Sequence, residues 1–308
     1  MAAGRIAGHV LRTPLRRSGW LSDSAGGDVF LKIETLQPTC SYKIRGAVNA
    51  IVRLHETGAA GPLVTASAGN HGRALAQAAA VFGVPLTVYV PEQAPRTKLE
   101  AIVALGADLR PARDYDEAER LAKAHAARGE GTFISPYSHP DVIAGAGTIG
   151  LEMLADCPDL DVIVVPIGGG GLISGIGIAA AAAVPPVAVW GVEALASHPF
   201  TAGRRAGRIV PIEVSPTLAD GLAGNLDPDT MTFGIVGRLV ERIATVDEPQ
   251  IRGAMRGIIE RERLVAEGAG AVGVAALLAR RLPAEGRRIG VVLSGANVDT
   301  SVLREILE

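Results

Sequence analysis

The feature that most restricts how this chain can fold is a stretch without charge, from Val162 to Val192, broken near its start by four consecutive glycines, Gly168 to Gly171. A run of that length could span a bilayer. Pro166, the glycine string and the pair Pro185-Pro186 interrupt it. It therefore reads as a buried strand, a glycine turn, an Ala-rich helix, a proline turn and a second buried strand. A membrane span is rejected.

The rest of the chain repeats that alternation, which predicts an α/β fold with mostly parallel strands flanked by helices. Strands are expected at 29–34, 63–66, 86–90, 132–135, 162–166, 187–192 and 289–293. Helices are expected at 70–82, with Ala74, Leu75, Ala78, Val81 and Phe82 on one stripe, and at 248–263. Another at 114–128 opens with Asp114 and Glu117 at capping-box spacing. The Pro/Gly-bearing junctions at 58–62 and 135–140 are expected crossings between two lobes.

At 308 residues the chain can bury a full core in one large or two modest domains. Lys+Arg 30 against Asp+Glu 32 leaves a net charge of −2, which argues against a nucleic-acid binder with its basic stripe. Cys40 and Cys157 have neither metal spacing nor a disulfide framework, so they read as reduced thiols of a cytoplasmic protein. The N-terminal residues lack the apolar core of a signal peptide.

Three glycine-containing turns follow apolar strands and open helices: TASAGNHG (65–72), VVPIGGGGLISG (164–175) and VVLSGANVD (291–299). Such turns are where an open α/β sheet binds ligands, with backbone N–H groups converging on an anion. In the tetraglycine, the absence of Cβ atoms lets the backbone approach a phosphate closely. No Gly-Lys-Ser/Thr follows, so a Walker loop is excluded. GGGGLISG also has the wrong spacing for the dinucleotide fingerprint, although Glu193 ends the next strand. SYKIRGA (41–47) places Lys43 in a run otherwise rich in apolar and small residues. A lysine so held has its ammonium form disfavoured, and a neutral amine can attack an aldehyde.

In this order SYKIRGA, SAGNHG, GGGGL and LSGAN resemble the motif set of fold-type II pyridoxal-phosphate (PLP) enzymes, most nearly the threonine dehydratase, serine dehydratase and serine racemase group. The likeness extends over RTPL (12–15), IAGAGTIGLE (143–152) and LVAEGAGAVGVAA (264–276). It implies a two-lobed fold of the tryptophan synthase β kind, with a large PLP-binding domain at 1–52 plus 139–308 and a small substrate-loop domain at 53–138. It implies that Lys43 forms a Schiff base with PLP and then acts as base on the substrate α-carbon. Gly168, Gly169, Gly170 and Gly171 would hold the phosphate, Asn70 the ring 3-oxygen, and Ser294 the pyridine nitrogen, with Tyr42 beside the cofactor. Ser67, Ala68, Gly69, Asn70 and His71 would receive the substrate carboxylate. A homodimer is the family's expectation.

Departures from the pattern are informative. Racemases of the group carry a second serine where this chain has Ala68, and a methyl cannot transfer a proton. Elimination is thereby favoured. Racemase-like members place a divalent cation near a Glu and a following Asp, but here Glu193 is followed by Pro199 at the expected aspartate position. Glu193 is left as the sole candidate ligand of a possible cation. The chain ends soon after LSGANVD, so no C-terminal regulatory domain is expected.

The resulting expectation is dehydration and deamination of a β-hydroxy amino acid, L-threonine or L-serine, to a 2-oxo acid and ammonia. Alternatives within the family are an amino-acid racemase, or a dehydratase of 3-hydroxyaspartate, phenylserine or a hydroxyectoine-derived compound. Outside it stand a non-catalytic binder of the same fold and an NAD-binding enzyme. Plainer roles also exist: Ser67, Asn70 and Ser294 are good helix caps, and Arg45 reads as structural.

Overall fold

A computed structural model describes residues 1–308. Its first strands are β1 (Leu15–Arg17), β2 (Asp28–Ile33), β3 (Leu63–Ala66), β4 (Leu86–Pro91) and β5 (Asp108–Ala112). They are followed by β6 (Thr132–Phe133), β7 (Val162–Pro166), β8 (Ala188–Ala194), β9 (Arg242–Val246) and β10 (Arg288–Leu293). The helices begin with α1 (Ala2–Ile6), α2 (Gly19–Ala25), α3 (Lys43–Glu56), α4 (Asn70–Phe82), α5 (Arg96–Val103), α6 (Tyr115–Ala127) and α7 (Pro140–Asp156). Then come α8 (Gly171–Ala181), α9 (Pro199–Ala206), α10 (Thr232–Leu239), α11 (Glu248–Gly257), α12 (Gly268–Leu278) and α13 (Thr300–Leu307). No helix is long and apolar enough to cross a membrane.

By contact density the chain forms two compact units, residues 1–11 with 37–146, and residues 12–36 with 147–308. The first holds a four-stranded sheet in the order β5-β4-β3-β6, parallel throughout. Every residue of β3 is buried, as a parallel strand covered on both faces requires. Ile44, Val48 and Ile51 of α3 pack with Ala74, Leu75 and Ala78 of α4 in one core. Two glycines bring backbones together here. A Cβ on Gly46 would stand 2.9 Å from Val142, and one on Gly145 would overlap the carbonyl of Arg45. Residues 140–146 of α7 thus lie directly on α3. These contacts assign α3 to this unit, whereas the expected boundaries at 52 and 138 divide the chain differently.

The second unit holds a six-stranded sheet in the order β1-β2-β10-β7-β8-β9, parallel except for the β1–β2 pair. Val162, Val164, Val291 and Leu293 form its core with the apolar helix α12. A buried ion pair crosses this core. Lys32 of β2 is fully buried, and its Nζ donates to the Thr13 carbonyl at 2.6 Å and to Glu152 at 2.5 Å. Removing one partner of such a pair leaves an uncompensated charge, at about 3–5 kcal/mol.

The predicted strands at 63–66, 86–90, 162–166, 187–192 and 289–293 coincide with β3, β4, β7, β8 and β10 within a few residues. The predicted 132–135 shrinks to two residues. Sequence reading misses β1, β5 and β9, and all three are sheet edges. With one side unpaired they carry exposed charge in place of an apolar run, as in LRR and DLRPA. The helix expected at 248–263 is α-helical only to Gly257. Ile258–Glu262 widens into a π turn, and Arg263 leaves it at φ 58°. Asp114 does cap α6, accepting from the Glu117 amide at 2.8 Å, but the Glu117 carboxylate takes the Arg113 amide.

Glycine packing gives a paired prediction. Gly145→Ala loses at least ~2 kcal/mol, because backbone must move to admit the methyl. Gly253→Ala, in exposed helix with open space around it, gains ~0.5–1 kcal/mol from helix propensity. Denaturant unfolding of both variants checks this; equal stability of the two contradicts the close-approach account.

Candidate active site

In the first unit the functional side chains gather at the C-terminal edge of the four-stranded sheet, the edge that open parallel sheets use for ligands. Lys43 opens α3 and is half-buried, and its Nζ donates to the Pro136 carbonyl at 2.7 Å. The same Nζ stands 5.2 Å from the centroid of the Tyr42 ring. Pro136 follows β6, and Ser67 follows its neighbour β3. Residues 67–71 run from that strand end into α4. Ser67 is buried and its Oγ accepts from the Gly69 amide at 3.3 Å. Gly72 closes the turn, since a Cβ there would overlap the Ser67 carbonyl. The cap of α4 is Gly69, and no side chain caps it. Ser67 and Asn70 are therefore not spent as caps: Asn70 is the first helical residue and half-buried.

His71 is buried, and its Nε2 lies 3.2 Å from the Ile134 carbonyl. That bond requires a proton on Nε2 and leaves Nδ1 as an acceptor, which has no partner within the protein. Burial, and next the positive charge of Lys43, push the imidazole down to a pKa of about 3, so it is neutral at ordinary pH. Ser41, just before Lys43, is also fully buried with an unpartnered hydroxyl.

The chain's other lysines are placed differently. Lys32 is sealed in its ion pair, Lys123 is exposed and paired with Glu119, and Lys98 lies on α5. Arg45, expected to be structural, is fully buried and donates to the Leu11 carbonyl at 3.1 Å.

In the second unit the tetraglycine links β7 to α8, and Ser294 follows β10, the strand beside β7. Both turns thus leave the same edge of the six-stranded sheet. Gly170 adopts φ +84° and is the N-cap of α8 without any side-chain cap. A Cβ on it would lie 2.6 Å from Phe200 and 3.0 Å from Thr232, so only glycine fits. Ser294 is buried and caps no helix, since α13 is capped at Asp299. Its neighbour Gly295 is fixed against α12: the Gly295 carbonyl accepts from the Glu267 amide at 3.0 Å, and Gly270 admits it at 2.6 Å from where a Cβ would be.

Glu193, the candidate ligand of a possible cation, faces the start of a helix. Its carboxylate is buried and accepts from the Phe200 amide at 2.8 Å, the Thr201 amide at 2.9 Å and the Thr201 hydroxyl at 2.6 Å. It anchors the start of α9 in the manner of an N-terminal carboxylate cap. Pro199, standing where an aspartate was expected, is the first residue of that helix, a position that suits proline. Burial raises the Glu193 carboxyl pKa, against the pull of these donors. No group of three or more His, Cys, Asp or Glu side chains is arranged to hold a metal.

The acceptors that orient Lys43 and His71, the carbonyls of Pro136 and Ile134, escape sequence reading because a main-chain atom has no residue-type signature. The remaining histidines are accounted for structurally: His9 and His55 lie against Phe82, His125 meets the Tyr89 hydroxyl, His139 Nδ1 faces the Asp141 amide at 3.2 Å, and His198 meets the Leu195 carbonyl.

Comparison with known proteins agrees with this geometry. The family described as pyridoxal-phosphate dependent enzyme matches residues 6–295. An L-threonine ammonia-lyase of Thermotoga maritima is 42% identical over 97% of this chain and 74% of its own length. The catabolic L-threonine dehydratase of Escherichia coli is 38% identical over 99% and 93%. Maize serine racemase superposes with a TM-score of 0.92 at 34% identity, covering 99% of this chain and 94% of that one. The chain belongs to the pyridoxal-phosphate dependent enzyme family, and its parallel sheets flanked by helices are the fold-type II architecture.

The residues present fit the cofactor. In the first unit a half-buried amine shares its neighbourhood with the unpartnered, buried Nδ1 of His71. In the second, a Cβ on Gly168 or Gly170 would crowd Leu222 or Phe200.

Neutral His71 makes a pH prediction. In the unfolded chain it takes up a proton near its ordinary value of 6.5, while in the folded protein it does so only near 3. Its contribution to stability is therefore fully present above pH 6.5 and is lost as pH falls toward 3. Relative to His71→Gln, the wild type should lose up to ~1.4 kcal/mol per pH unit between pH 6 and 4. Unfolding free energies across that range measure it, and a pH-independent difference would contradict the buried neutral imidazole.

Proposed function

We propose that this protein is a PLP-dependent ammonia-lyase that converts a β-hydroxy amino acid, L-threonine or L-serine, to a 2-oxo acid and ammonia. The observation that carries the reading is Lys43. Its amine is half-buried, aimed by the Pro136 carbonyl, and close enough to the 67–71 turn to depress His71. The names of the L-threonine ammonia-lyase and dehydratase relatives support the same reaction.

When bound, the cofactor supplies an electron sink for the bond broken at the substrate α-carbon. Lys43 would hold it through Nζ, and as a free amine would take the α-proton, with the Pro136 carbonyl as the acceptor that orients it. Gly168 to Gly171 would hold the phosphate through N–H groups, and Asn70 the ring 3-oxygen. Ser294 would offer the ring nitrogen a neutral hydroxyl, which does not demand a proton there as a carboxylate would. Tyr42 would lie beside the cofactor. Ser67, Ala68, Gly69, Asn70 and His71 would receive the substrate carboxylate. The tetraglycine domain is the cofactor-binding part and the 67–71 domain the substrate-loop part. A cytoplasmic homodimer completes the proposal; the free thiols of Cys40 and Cys157 are in keeping with a reducing compartment.

Ala68 favours elimination over racemisation. It sits half-buried in the turn after β3 and offers no proton to an α-carbon.

Lys43→Ala should reduce 2-oxo acid release from L-threonine and L-serine ~10³-fold. A variant that keeps full turnover overturns the assignment. Ala68→Ser should give measurable D-serine from L-serine, read by chiral chromatography alongside 2-oxo acid. If the wild type racemises L-serine faster than it eliminates, the lyase reading fails.

A further inference from the structure

The tetraglycine turn is braced by a hydroxyl chain that the family resemblance does not predict. Thr232, at the start of α10, is fully buried, and its Oγ1 donates to the Gly169 carbonyl at 2.8 Å. Thr230 Oγ1 lies 2.8 Å from Thr232 Oγ1. A threonine hydroxyl has one proton. Since Thr232 gives its proton to Gly169, Thr230 must be the donor in the second bond, and the chain runs Thr230 to Thr232 to Gly169. The Thr232 amide closes the unit on the Thr230 oxygen at 3.3 Å.

The consequence lies on the other side of the peptide. Gly169 carbonyl and Gly170 N–H belong to one trans peptide plane and point in opposite directions. Fixing the carbonyl toward Thr232 therefore fixes the Gly170 N–H away from it. Without a brace, a glycine-flanked peptide can rotate with little steric penalty and would present either its donor or its acceptor to an anion. An acceptor so placed would repel a phosphate. By donating to the carbonyl, the hydroxyl also polarises the peptide, which strengthens the N–H donor across it. Phe200 fills the remaining room at Gly170, and its own amide is held by Glu193.

We propose that Thr232, oriented by Thr230, is a positioning residue for the cofactor phosphate: it sets the Gly169–Gly170 peptide so that the Gly170 N–H serves as donor. This rests on the reading that Gly168 to Gly171 hold the phosphate. Thr232 itself does not touch the anion, so it acts on affinity for the phosphorylated cofactor and not on the bond-breaking step.

The test uses the full chain freed of cofactor and titrated with PLP and, separately, with pyridoxal, which lacks the phosphate. Thr232→Val should weaken PLP binding ~10- to 100-fold, the range for a misdirected charge-assisted hydrogen bond. It should change pyridoxal binding less than about threefold, well inside one tenfold step of affinity. Thr232→Ser, which keeps the hydroxyl, should restore PLP affinity. Thr230→Val should give a smaller loss in the same direction, and it serves as the probe should Thr232→Val not fold. The proposal is overturned if PLP affinity is unchanged in Thr232→Val and Thr230→Val, or if pyridoxal and PLP weaken equally. Gly170→Ala separates the two levels. If it too leaves PLP affinity intact, the phosphate reading itself is wrong; if it weakens PLP while the threonine variants do not, only the brace is refuted.

Discussion

Backbone lying directly on backbone is the constraint on which this structure depends. The turn after β3 closes because Gly72 lies on the Ser67 carbonyl, and the turn after β10 is pinned because Gly270 lies on the Gly295 carbonyl. Gly145 plays the same part between α7 and α3. In each case the chain gives up a side chain to fix the position of a loop to within the tolerance of a van der Waals contact. Preformed loops of this kind need little reordering when a ligand arrives. The abundance of glycine and alanine in α4, α8 and α12 follows from this design, since thin helices let the turns they carry approach the sheets.

Charge is used inside the protein with the same economy. Lys32 is sealed against Glu152, Glu34 accepts from the Thr13 hydroxyl at 2.5 Å, and Glu193 anchors α9. Each of these groups is matched to a fixed partner and so is structural. Lys43 differs in kind. It is half-buried, stands at a helix start, and rests on a single carbonyl from which its amine can leave. The neighbouring imidazole, kept neutral, offers an acceptor without adding a second positive charge beside it.

Much of this was legible in the residues. The apolar runs of β3, β7, β8 and β10 are strands because both faces are covered, and the four motifs in order identify the turns that leave them. Edge strands β1, β5 and β9 were illegible, for their unpaired sides leave charged residues tolerated. The division into compact units was also hidden, because it is set by α3 lying on α7 through Gly46 and Gly145, a packing fact that no local pattern encodes. Glu193 shows a common ambiguity: a carboxylate at a strand end looks alike in sequence whatever it faces, and its three donors at the start of α9 appear only in the fold. Thr230 and Thr232 carry no motif at all.

The central claim is that one particular amine carries the cofactor, and the chain offers few competitors: Lys32, Lys98 and Lys123 besides Lys43. Borohydride reduction of the purified holoenzyme, followed by proteolysis and mass spectrometry, reads the attachment point directly. The account predicts the phosphopyridoxyl mass on the peptide containing Lys43. Its appearance on any of the other three lysines, with Lys43 unmodified, would contradict it.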